Sequence, residues 1–266
     1  MVLIPIEDPD DPRVAAYRDV RERDLVGRQH LFVAEGEVVL RALARSRFVE
    51  PVSVLLAQKR VAAQQPILSQ LDDAVPVYCA ADAVMDQIAG FPMHRGILAL
   101  GRRRAVHSAA ELLADLPEQA TVLVLCGIAN HDNMGGLFRN AAAFGAQAVL
   151  LDAECCDPLY RKAIRVSVGA ALLVPFGHFQ RGEDFVSLLK ASQVRPLALS
   201  PSGVARLAAI RPAGRTALIL GTEGAGLSAG VMAQCETVAI PMATDFDSLN
   251  VATSAGIVLH HISQHR

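Results

Sequence analysis

Short apolar runs alternate with longer amphipathic segments along nearly the whole chain. In the first part of the chain, the apolar runs predict strands at 31–34, 52–56, 75–79 and 96–100. In the second part, they predict strands at 121–126, 148–151, 172–175, 196–199, 216–220 and 238–242. Because helical patterns lie between most of these runs, the sequence predicts an α/β fold. The strand at 121–126 is apolar throughout, which is typical of a strand buried in a parallel sheet.

The two series of runs predict two domains, joined by a basic linker at 101–107. Residues 1–104 are expected to form a small α/β domain that begins with a polar helix at 12–24. Residues 105–266 are expected to form the second α/β domain, which includes a basic helix at 160–171. Candidate chemistry is concentrated in this second domain.

Length and composition are those of a soluble globular protein. With 266 residues, 52% of them hydrophobic, the chain can bury a core for one or two domains. Acidic residues follow the apolar start at once, unlike in a signal peptide, and the longest uncharged runs are too short to span a bilayer. We therefore expect a cytoplasmic protein with no membrane partner. The five cysteines are odd in number and lack CxxC spacing, which argues against a disulfide framework and against a zinc or other metal site.

The formal net charge of −2 gives no general electrostatic reason to expect nucleic-acid binding. The charges are unevenly distributed, however. Residues 12–106 contain 14 Lys and Arg against 10 Asp and Glu, whereas residues 107–266 contain 11 against 13. The N-terminal part is therefore the better candidate for a surface that faces phosphate, although its positive excess is small.

The first of three chemistry-bearing stretches in the second domain is DNMGGLFRNAAAFGA, at 132–146. It places Asn133 and Arg139 on a helix that follows the strand at 121–126. In open α/β sheets, ligands bind where the carboxyl end of a strand meets such a helix start. A salt-bridge partner is the alternative interpretation of a lone arginine there.

The other two stretches are loops that follow strands. LILGTEGAGLS, at 218–228, has glycines that allow a ligand to approach the backbone, but it lacks the Lys-Ser/Thr of a phosphate-binding loop and the G-x-G-x-x-G order of a dinucleotide site. A tight turn is its alternative. IPMATDFDSLNVATSAGIVL, at 240–259, places Ser248 and Asn250 directly before an apolar helix, where both are also suitable N-caps.

In this order, the three stretches resemble the three motifs of the SpoU/TrmH-type RNA ribose 2'-O-methyltransferases of the SPOUT superfamily. The resemblance covers 121–260, with Thr222 and Thr244 where the family often has Asn and Gly. More loosely, LFVAEGEVVLRALARS and FPMHRGILAL, in the first domain, resemble the ribosomal-protein-like α/β domain that binds RNA in many members. The resemblance therefore implies an RNA substrate-binding domain at 1–104 and a parallel sheet with a deep trefoil knot at 105–266.

The same resemblance implies that S-adenosylmethionine is the cofactor and that the loops of the second and third motifs bind it, chiefly through backbone groups. The residues implied for cofactor binding are Leu220, Gly221, Thr222, Gly226, Ile240, Met242 and Leu249. Those implied for catalysis are Arg139, Asn133, Glu223, Ser248 and Asn250. Because a guanidinium has a pKa above about 12, Arg139 is expected to bind phosphate and to stabilise charge on the 2'-oxygen, while a role as proton acceptor stays open.

The expected activity is transfer of a methyl group to a ribose 2'-hydroxyl of structured RNA, with ribosomal RNA favoured over transfer RNA. The resemblance also implies a homodimer formed through the knotted domain. One alternative is a non-catalytic RNA-binding protein of the same fold, which the joint presence of the implied catalytic residues disfavours. Another is a nucleotide-dependent oxidoreductase, which the missing dinucleotide fingerprint disfavours.

Overall fold

The computed structural model describes residues 2–18, 30–212, 214–243 and 248–265. The strands are β1 Leu3–Ile6, β2 Leu31–Glu35, β3 Val49–Ala57, β4 Val77–Ala80, β5 Ile97–Arg103, β6 His107–Ser108, β7 Ala120–Leu125, β8 Ala148–Leu151, β9 Phe176–His178, β10 Val194–Leu199, β11 Ala205–Arg206, β12 Arg215–Leu220 and β13 Glu236–Ala239. The α-helices are α1 Glu37–Arg45, α2 Val61–Leu68, α3 Asp82–Ala89, α4 Ala109–Ala114, α5 His131–Ala143, α6 Arg161–Val166, α7 Phe185–Ala191, α8 Ala229–Gln234 and α9 Val251–Gln264. Across the described ranges, no helix combines the length and the apolar character that a membrane crossing requires.

The chain divides into two compact units. One comprises Met1–Ala105 with Leu159–Leu173, and the other comprises Val106–Pro158 with Val174–Arg266. The first division of the chain lies within one residue of the predicted boundary. The segment 159–173 differs from the prediction, because its sequence position suggests the second domain whereas its packing places it in the first unit.

The first unit is built on a mixed five-stranded sheet in the order β1-β4-β3-β5-β2. β4 pairs in parallel with β1 and β3, whereas β5 is antiparallel to both β2 and β3. Helix α6 belongs to this unit because the guanidinium of Arg161 pairs at 2.9 Å with the buried carboxylate of Glu35 and lies 4.8 Å from the centre of the Phe91 ring. A buried charge needs such a partner, so the ion pair ties the segment to this sheet.

The second unit is built on an eight-stranded sheet in the order β11-β13-β10-β12-β7-β8-β9-β6. Each of its strand pairings is parallel. Every residue of β7 is buried, as the uniformly apolar run at 121–126 predicted. The predicted α/β fold with a parallel sheet is therefore confirmed for this unit.

Some predicted element boundaries in the second half of the chain are wrong for local reasons. The helix predicted at 160–171 ends early, because Val168 and Gly169 adopt left-handed φ values of 55° and 83°. A 3-10 helix at Ala170–Leu172 follows, and the strand predicted at 172–175 is consequently shifted to β9. The strand predicted at 238–242 ends with β13, since a proline follows that has no N–H to donate to a ladder.

The first unit differs from its prediction at both ends. β1 was not predicted, because a short apolar run before an acidic stretch has little strand signal of its own. The predicted linker at 101–107 begins inside β5, where Arg102 pairs with Leu31 of β2 on one side and with Glu50 of β3 on the other. The polar helix predicted at 12–24 is a 3-10 helix that ends at Tyr17, and residues 19–29 lie outside the described part of the chain.

Candidate functional site

A cavity of about 500 Å³ lies at the carboxyl ends of β10, β12 and β13. These strands are neighbours in the sheet and run parallel, so the loops that follow them meet at one edge. Apolar side chains and glycines alternate in the lining with hydroxyl, amide and carboxylate groups. The lining residues are Leu199, Ser200, Pro201, Leu220, Gly221, Thr222, Glu223, Gly224, Gly226, Ile240, Met242, Ser248, Leu249, Asn250, Val251 and Ser254.

The loop after β12 turns back sharply beside the cavity. A Cβ atom on Gly221 would lie 2.4 Å from the carbonyl carbon of Gly226, so no larger residue fits at this position without displacing the backbone. The N–H of Gly226 donates to the carbonyl oxygen of Thr222 at 3.2 Å and closes the turn. Leu227 then packs into the core of the second unit, whereas Glu223 stays exposed at the tip. The glycine-rich stretch is thus a tight turn and a wall of the cavity at once.

One hydrogen-bond network joins the three motif stretches. Asn133, buried on α5, donates through its side-chain Nδ2 to the carboxylate of Glu223. Its Oδ1 accepts a hydrogen bond from Nδ2 of Asn250 at 2.8 Å. Asn250 also caps α9, because its Oδ1 accepts the N–H groups of Ala252 at 2.9 Å and of Thr253 at 3.3 Å. Asn250 therefore both caps α9 and belongs to the hydrogen-bond network of the site.

Helices α5 and α9 pack closely along one side of α5. Asn133, Gly136 and Asn140 are spaced three and four residues apart and so share a face of the helix. A Cβ atom on Gly136 would lie 2.8 Å from the Cβ of Ala252, and Nδ2 of Asn140 donates to the Ala252 carbonyl oxygen at 2.6 Å. We call this contact, made by Asn133, Gly136 and Asn140 with Asn250 and Ala252, the α5–α9 seam. It fixes the start of α9 beside the cavity.

Arg139 is placed apart from the cavity of its own chain. It lies on α5, six residues after Asn133 and thus about 240° around the helix axis, and it is exposed. Among the described residues it has no hydrogen-bond or ion-pair partner, and it does not line the cavity.

The structure brings most of the predicted site residues together. The residues expected to bind cofactor all line the cavity: Leu220, Gly221, Thr222, Gly226, Ile240, Met242 and Leu249. Glu223, Ser248 and Asn250 line it as well, and Asn133 joins them through its hydrogen bonds. Arg139 is the member of the predicted set that does not reach them. Thr244 lies outside the described residues.

Some residues that line the cavity were not predicted. They are Leu199, Ser200, Pro201, Gly224, Val251 and Ser254. Leu199 ends β10 and Ser200 and Pro201 follow it, and this strand belongs to none of the motif stretches. The sequence signal that could have indicated these residues is the strand predicted to end at residue 199. Neighbouring parallel strands bring their carboxyl ends to the same edge of a sheet.

The site chemistry rests on amide, carboxylate, hydroxyl and guanidinium groups. In the described part of the chain, no cluster of His, Cys, Asp and Glu side chains is arranged to hold a metal ion. All five cysteines are free thiols. Burial raises the pKa of Cys126 to about 12 and the pKa of Cys156 to about 11. Both thiols therefore stay protonated near neutral pH and are not activated nucleophiles.

Comparison with known proteins identifies the family. The model described as the SpoU rRNA Methylase family matches residues 120–260. The chain belongs to this family. The family prediction from the three motifs is thereby confirmed. An uncharacterized tRNA/rRNA methyltransferase of Mycobacterium bovis is 39% identical over 263 residues, which cover 95% of this chain and 89% of that protein.

Two more distant similarities extend this SpoU-family assignment. The 23S rRNA (guanosine-2'-O-)-methyltransferase RlmB of Escherichia coli is 28% identical over 206 residues, which cover 76% of this chain and 84% of that protein. The crystal structure of an AdoMet-bound rRNA methyltransferase from Sinorhizobium meliloti has a TM-score of 0.82 at 22% identity and covers 99% of this chain and 98% of that chain. The fold similarity thus includes residues outside the family match.

Proposed function

We propose that this SpoU-family protein transfers a methyl group from S-adenosylmethionine to a ribose 2'-hydroxyl of RNA, and that its substrate is ribosomal RNA. The observation that carries the proposal is the hydrogen-bond network of Asn133, Glu223 and Asn250, which links the three motifs at the edge of one cavity. The similarity to an Escherichia coli protein named a 23S rRNA (guanosine-2'-O-)-methyltransferase supports both the reaction and the substrate.

The residues of the cavity fit the cofactor. Its volume of about 500 Å³ is within the range of small-molecule sites. Leu220, Ile240, Met242 and Leu249 offer apolar surface for the adenine ring, and the backbone at the strand ends offers N–H and C=O groups. The carboxylate of Glu223 suits a ligand with positive charge. When bound, S-adenosylmethionine supplies the methyl group from its sulfonium.

The protein's contribution to the reaction is mainly positioning. Methyl transfer from a sulfonium needs the acceptor oxygen in line with the methyl group, and holding it there supplies most of the rate enhancement. Asn133 orients the Glu223 carboxylate and the start of α9 together. These groups, with Ser248, bind the ribose of the target nucleotide.

Arg139 binds the RNA phosphate and stabilises negative charge that develops on the 2'-oxygen. Its guanidinium suits both roles, because it carries positive charge and several N–H donors. Since Arg139 does not line the cavity of its own chain, we propose that it serves the cavity of a second copy in a homodimer. Its exposure and lack of a described partner support this arrangement.

The proposal extends to the architecture of the whole chain. The first unit binds RNA, as in the ribosomal-protein-like domain that its sequence resembles. The second unit carries the deep trefoil knot of the SPOUT superfamily; the meeting of residues 199–201, 221–224 and 248–251 at one cavity supports this. A protein that modifies RNA in this way is expected in the cytoplasm.

Methyl incorporation tests the proposed function. The purified full-length protein is incubated with S-adenosylmethionine carrying a labelled methyl group and with either ribosomal or transfer RNA from cells that lack the protein. We expect label in ribosomal RNA, at a nucleotide that mapping of 2'-O-methylation in the same cells finds unmodified. Label in transfer RNA would contradict the substrate assignment. RNA binding without any incorporation would indicate a non-catalytic RNA-binding protein instead.

A further inference from the structure

Ser254 is a buried serine that borders the cavity. It lies in the first part of α9, four residues after the cap residue Asn250, and 9% of its surface is exposed. It lines the cavity, although the family resemblance implied no role for it in cofactor binding or catalysis. Much of the surrounding lining is apolar, with Leu220 and Val251 among its members.

The hydroxyl of Ser254 has no hydrogen-bond partner among the described residues. A helical serine often donates to the carbonyl oxygen four residues earlier. Here that carbonyl oxygen, of Asn250, accepts the backbone N–H of Ser254 at 2.9 Å and no bond from its hydroxyl. The other buried serines, Ser53 and Ser167, both have hydrogen-bonded hydroxyls.

The hydroxyl of Ser254 is open to the cavity, unlike the enclosed hydroxyls that have no partner among the described residues. Those of Thr121 and Thr216 lie on the paired strands β7 and β12, and neither residue lines the cavity. The space beside Ser254 is the cavity itself. A ligand in the cavity lies beside this hydroxyl, which no described residue binds, so the hydroxyl is placed to bond a polar atom of that ligand.

We propose that Ser254 is a cofactor-binding residue, whose hydroxyl forms a hydrogen bond with a polar atom of S-adenosylmethionine. The inference rests on the proposed function, because it takes the cavity to be the cofactor site. The hydroxyl helps to fix the orientation of a ligand in the cavity and disfavours ligands that leave it unpaired. Ser254 thus adds a side-chain contact to a site whose other implied contacts are chiefly with the backbone.

Calorimetric binding of S-adenosylhomocysteine, the demethylated cofactor, to the full-length protein tests this inference without turnover. Ser254→Ala removes the hydroxyl, and we expect the dissociation constant to rise about two- to tenfold, the effect of losing one neutral hydrogen bond. Ser263→Ala is the matched control. Ser263 lies on the same helix, donates to the carbonyl oxygen of His260 at 2.8 Å and does not line the cavity, so its loss leaves the dissociation constant unchanged.

Thermal unfolding of the ligand-free proteins provides the check on folding. Because the hydroxyl of Ser254 makes no bond to the described residues, Ser254→Ala is expected to unfold at the wild-type temperature or slightly above it. The stabilisation that S-adenosylhomocysteine gives should then be smaller for Ser254→Ala than for wild type. Equal dissociation constants for the two proteins would overturn the inference. Absence of binding to wild type would instead contradict the proposed function.

Discussion

The buried amide of Asn133 shows how one residue sets the geometry of the site. Its two ends differ chemically, since Nδ2 donates and Oδ1 accepts. Nδ2 faces the carboxylate of Glu223 and Oδ1 faces the amide of Asn250, so both ends are satisfied in one orientation. An aspartate at this position would place two carboxylates against each other, which repel. The network therefore requires an amide and fixes Glu223 relative to the cap of α9.

Replacement of Arg139 should separate catalysis from cofactor binding. Arg139→Ala is expected to reduce the rate of methyl transfer by roughly 10²-fold or more, the effect of losing a group that stabilises transition-state charge. The dissociation constant for S-adenosylhomocysteine should stay at the wild-type value, because Arg139 does not line the cavity. Single-turnover kinetics and calorimetry measure the two quantities. A matching loss of cofactor affinity would contradict this division of roles.

The control for Arg139→Ala is a second exposed arginine of the same unit. Arg181 has a side chain that is 85% exposed and an ion pair to Glu154 at 3.3 Å. Such a surface pair contributes little to stability. Arg181→Ala should therefore leave both the methyl-transfer rate and the dissociation constant unchanged, which separates a local effect of Arg139 from a general loss of positive charge.

The glycine-rich turn gives a second prediction at the scale of single residues. Gly221→Ala places a methyl group 2.4 Å from the backbone of Gly226, which cannot move away as a side chain could. We expect a loss of about 1–3 kcal/mol in the free energy of unfolding, with weaker cofactor binding. Gly224→Ala is the control, because its Cβ would have no atom within 4 Å. Chemical denaturation should show near wild-type stability for Gly224→Ala; equal losses in both variants would argue against the close approach.

The residues of the site were predictable to the extent that their signal is local. A glycine turn after an apolar strand and an Asn before an apolar helix are visible within a dozen residues, and these stretches contain Glu223 and Asn250. Ser200 and Pro201 line the cavity because β10 lies between β12 and β13. The order of the strands in a sheet cannot be read from any short stretch of sequence. Ser254 was missed because a lone serine in an apolar helix has no pattern.

At the scale of elements, the α5–α9 seam positions the start of α9. Gly136 is central to it, and two effects oppose each other when it becomes alanine. Alanine favours the helix by about 0.5–1 kcal/mol. The added Cβ, however, would lie 2.8 Å from the Cβ of Ala252, which is attached directly to the backbone of α9. Overpacking of this kind costs about 1–3 kcal/mol, so the clash should dominate.

Gly136→Ala is therefore expected to destabilise the protein by about 1–2 kcal/mol, the difference between these two effects. Gly230→Ala, in α8, is the matched control, because the nearest atom to its Cβ is 4.0 Å away. It should be neutral or slightly stabilising. Thermal unfolding of both variants measures the difference. A Gly136→Ala protein as stable as Gly230→Ala would mean that α9 shifts freely along α5.

Elements were predicted well where burial on both faces gives a continuous apolar run, as in β7 and β12. They were predicted poorly where tertiary pairing overrides the local pattern. β5 continues through Arg102 and Arg103, although their charges suggest a linker, because strands on both sides pair with it. The helix at 160–171 was overextended, since nothing in its apolar pattern indicates the left-handed Val168.

At the scale of the whole molecule, the first unit is not continuous in sequence. The buried pair of Arg161 with Glu35 joins residues 126 positions apart, and Ser46 Oγ donates to the carbonyl oxygen of Leu172 in the same unit. Neither contact has a sequence signal, because both depend on the chain leaving the second unit after Pro158 and returning at Val174. A boundary drawn at a single linker could therefore not describe this fold.

The last prediction tests the proposed homodimer, in which two copies share each active site. If Arg139 of one copy serves the cavity of the other, two inactive variants can restore activity when they share a dimer. Arg139→Ala keeps an intact cavity. Leu249→Arg places a cation in the cavity at a position that is 37% exposed, so it blocks a cationic cofactor while sparing the core. A dimer with one copy of each variant contains one intact pairing of cavity and arginine.

Mixing the two variants after reversible dissociation should therefore recover about a quarter of the wild-type methyl-transfer rate, because about half of the dimers are mixed and each has one active site. Each variant alone stays inactive. A mixture of Leu249→Arg with a protein carrying both substitutions is the control, because its dimers contain no intact cavity. Light scattering at micromolar concentration shows that dimers form in every sample. Mixed dimers without recovered activity would mean that Arg139 does not act across the dimer, and the role assigned to it here would be wrong.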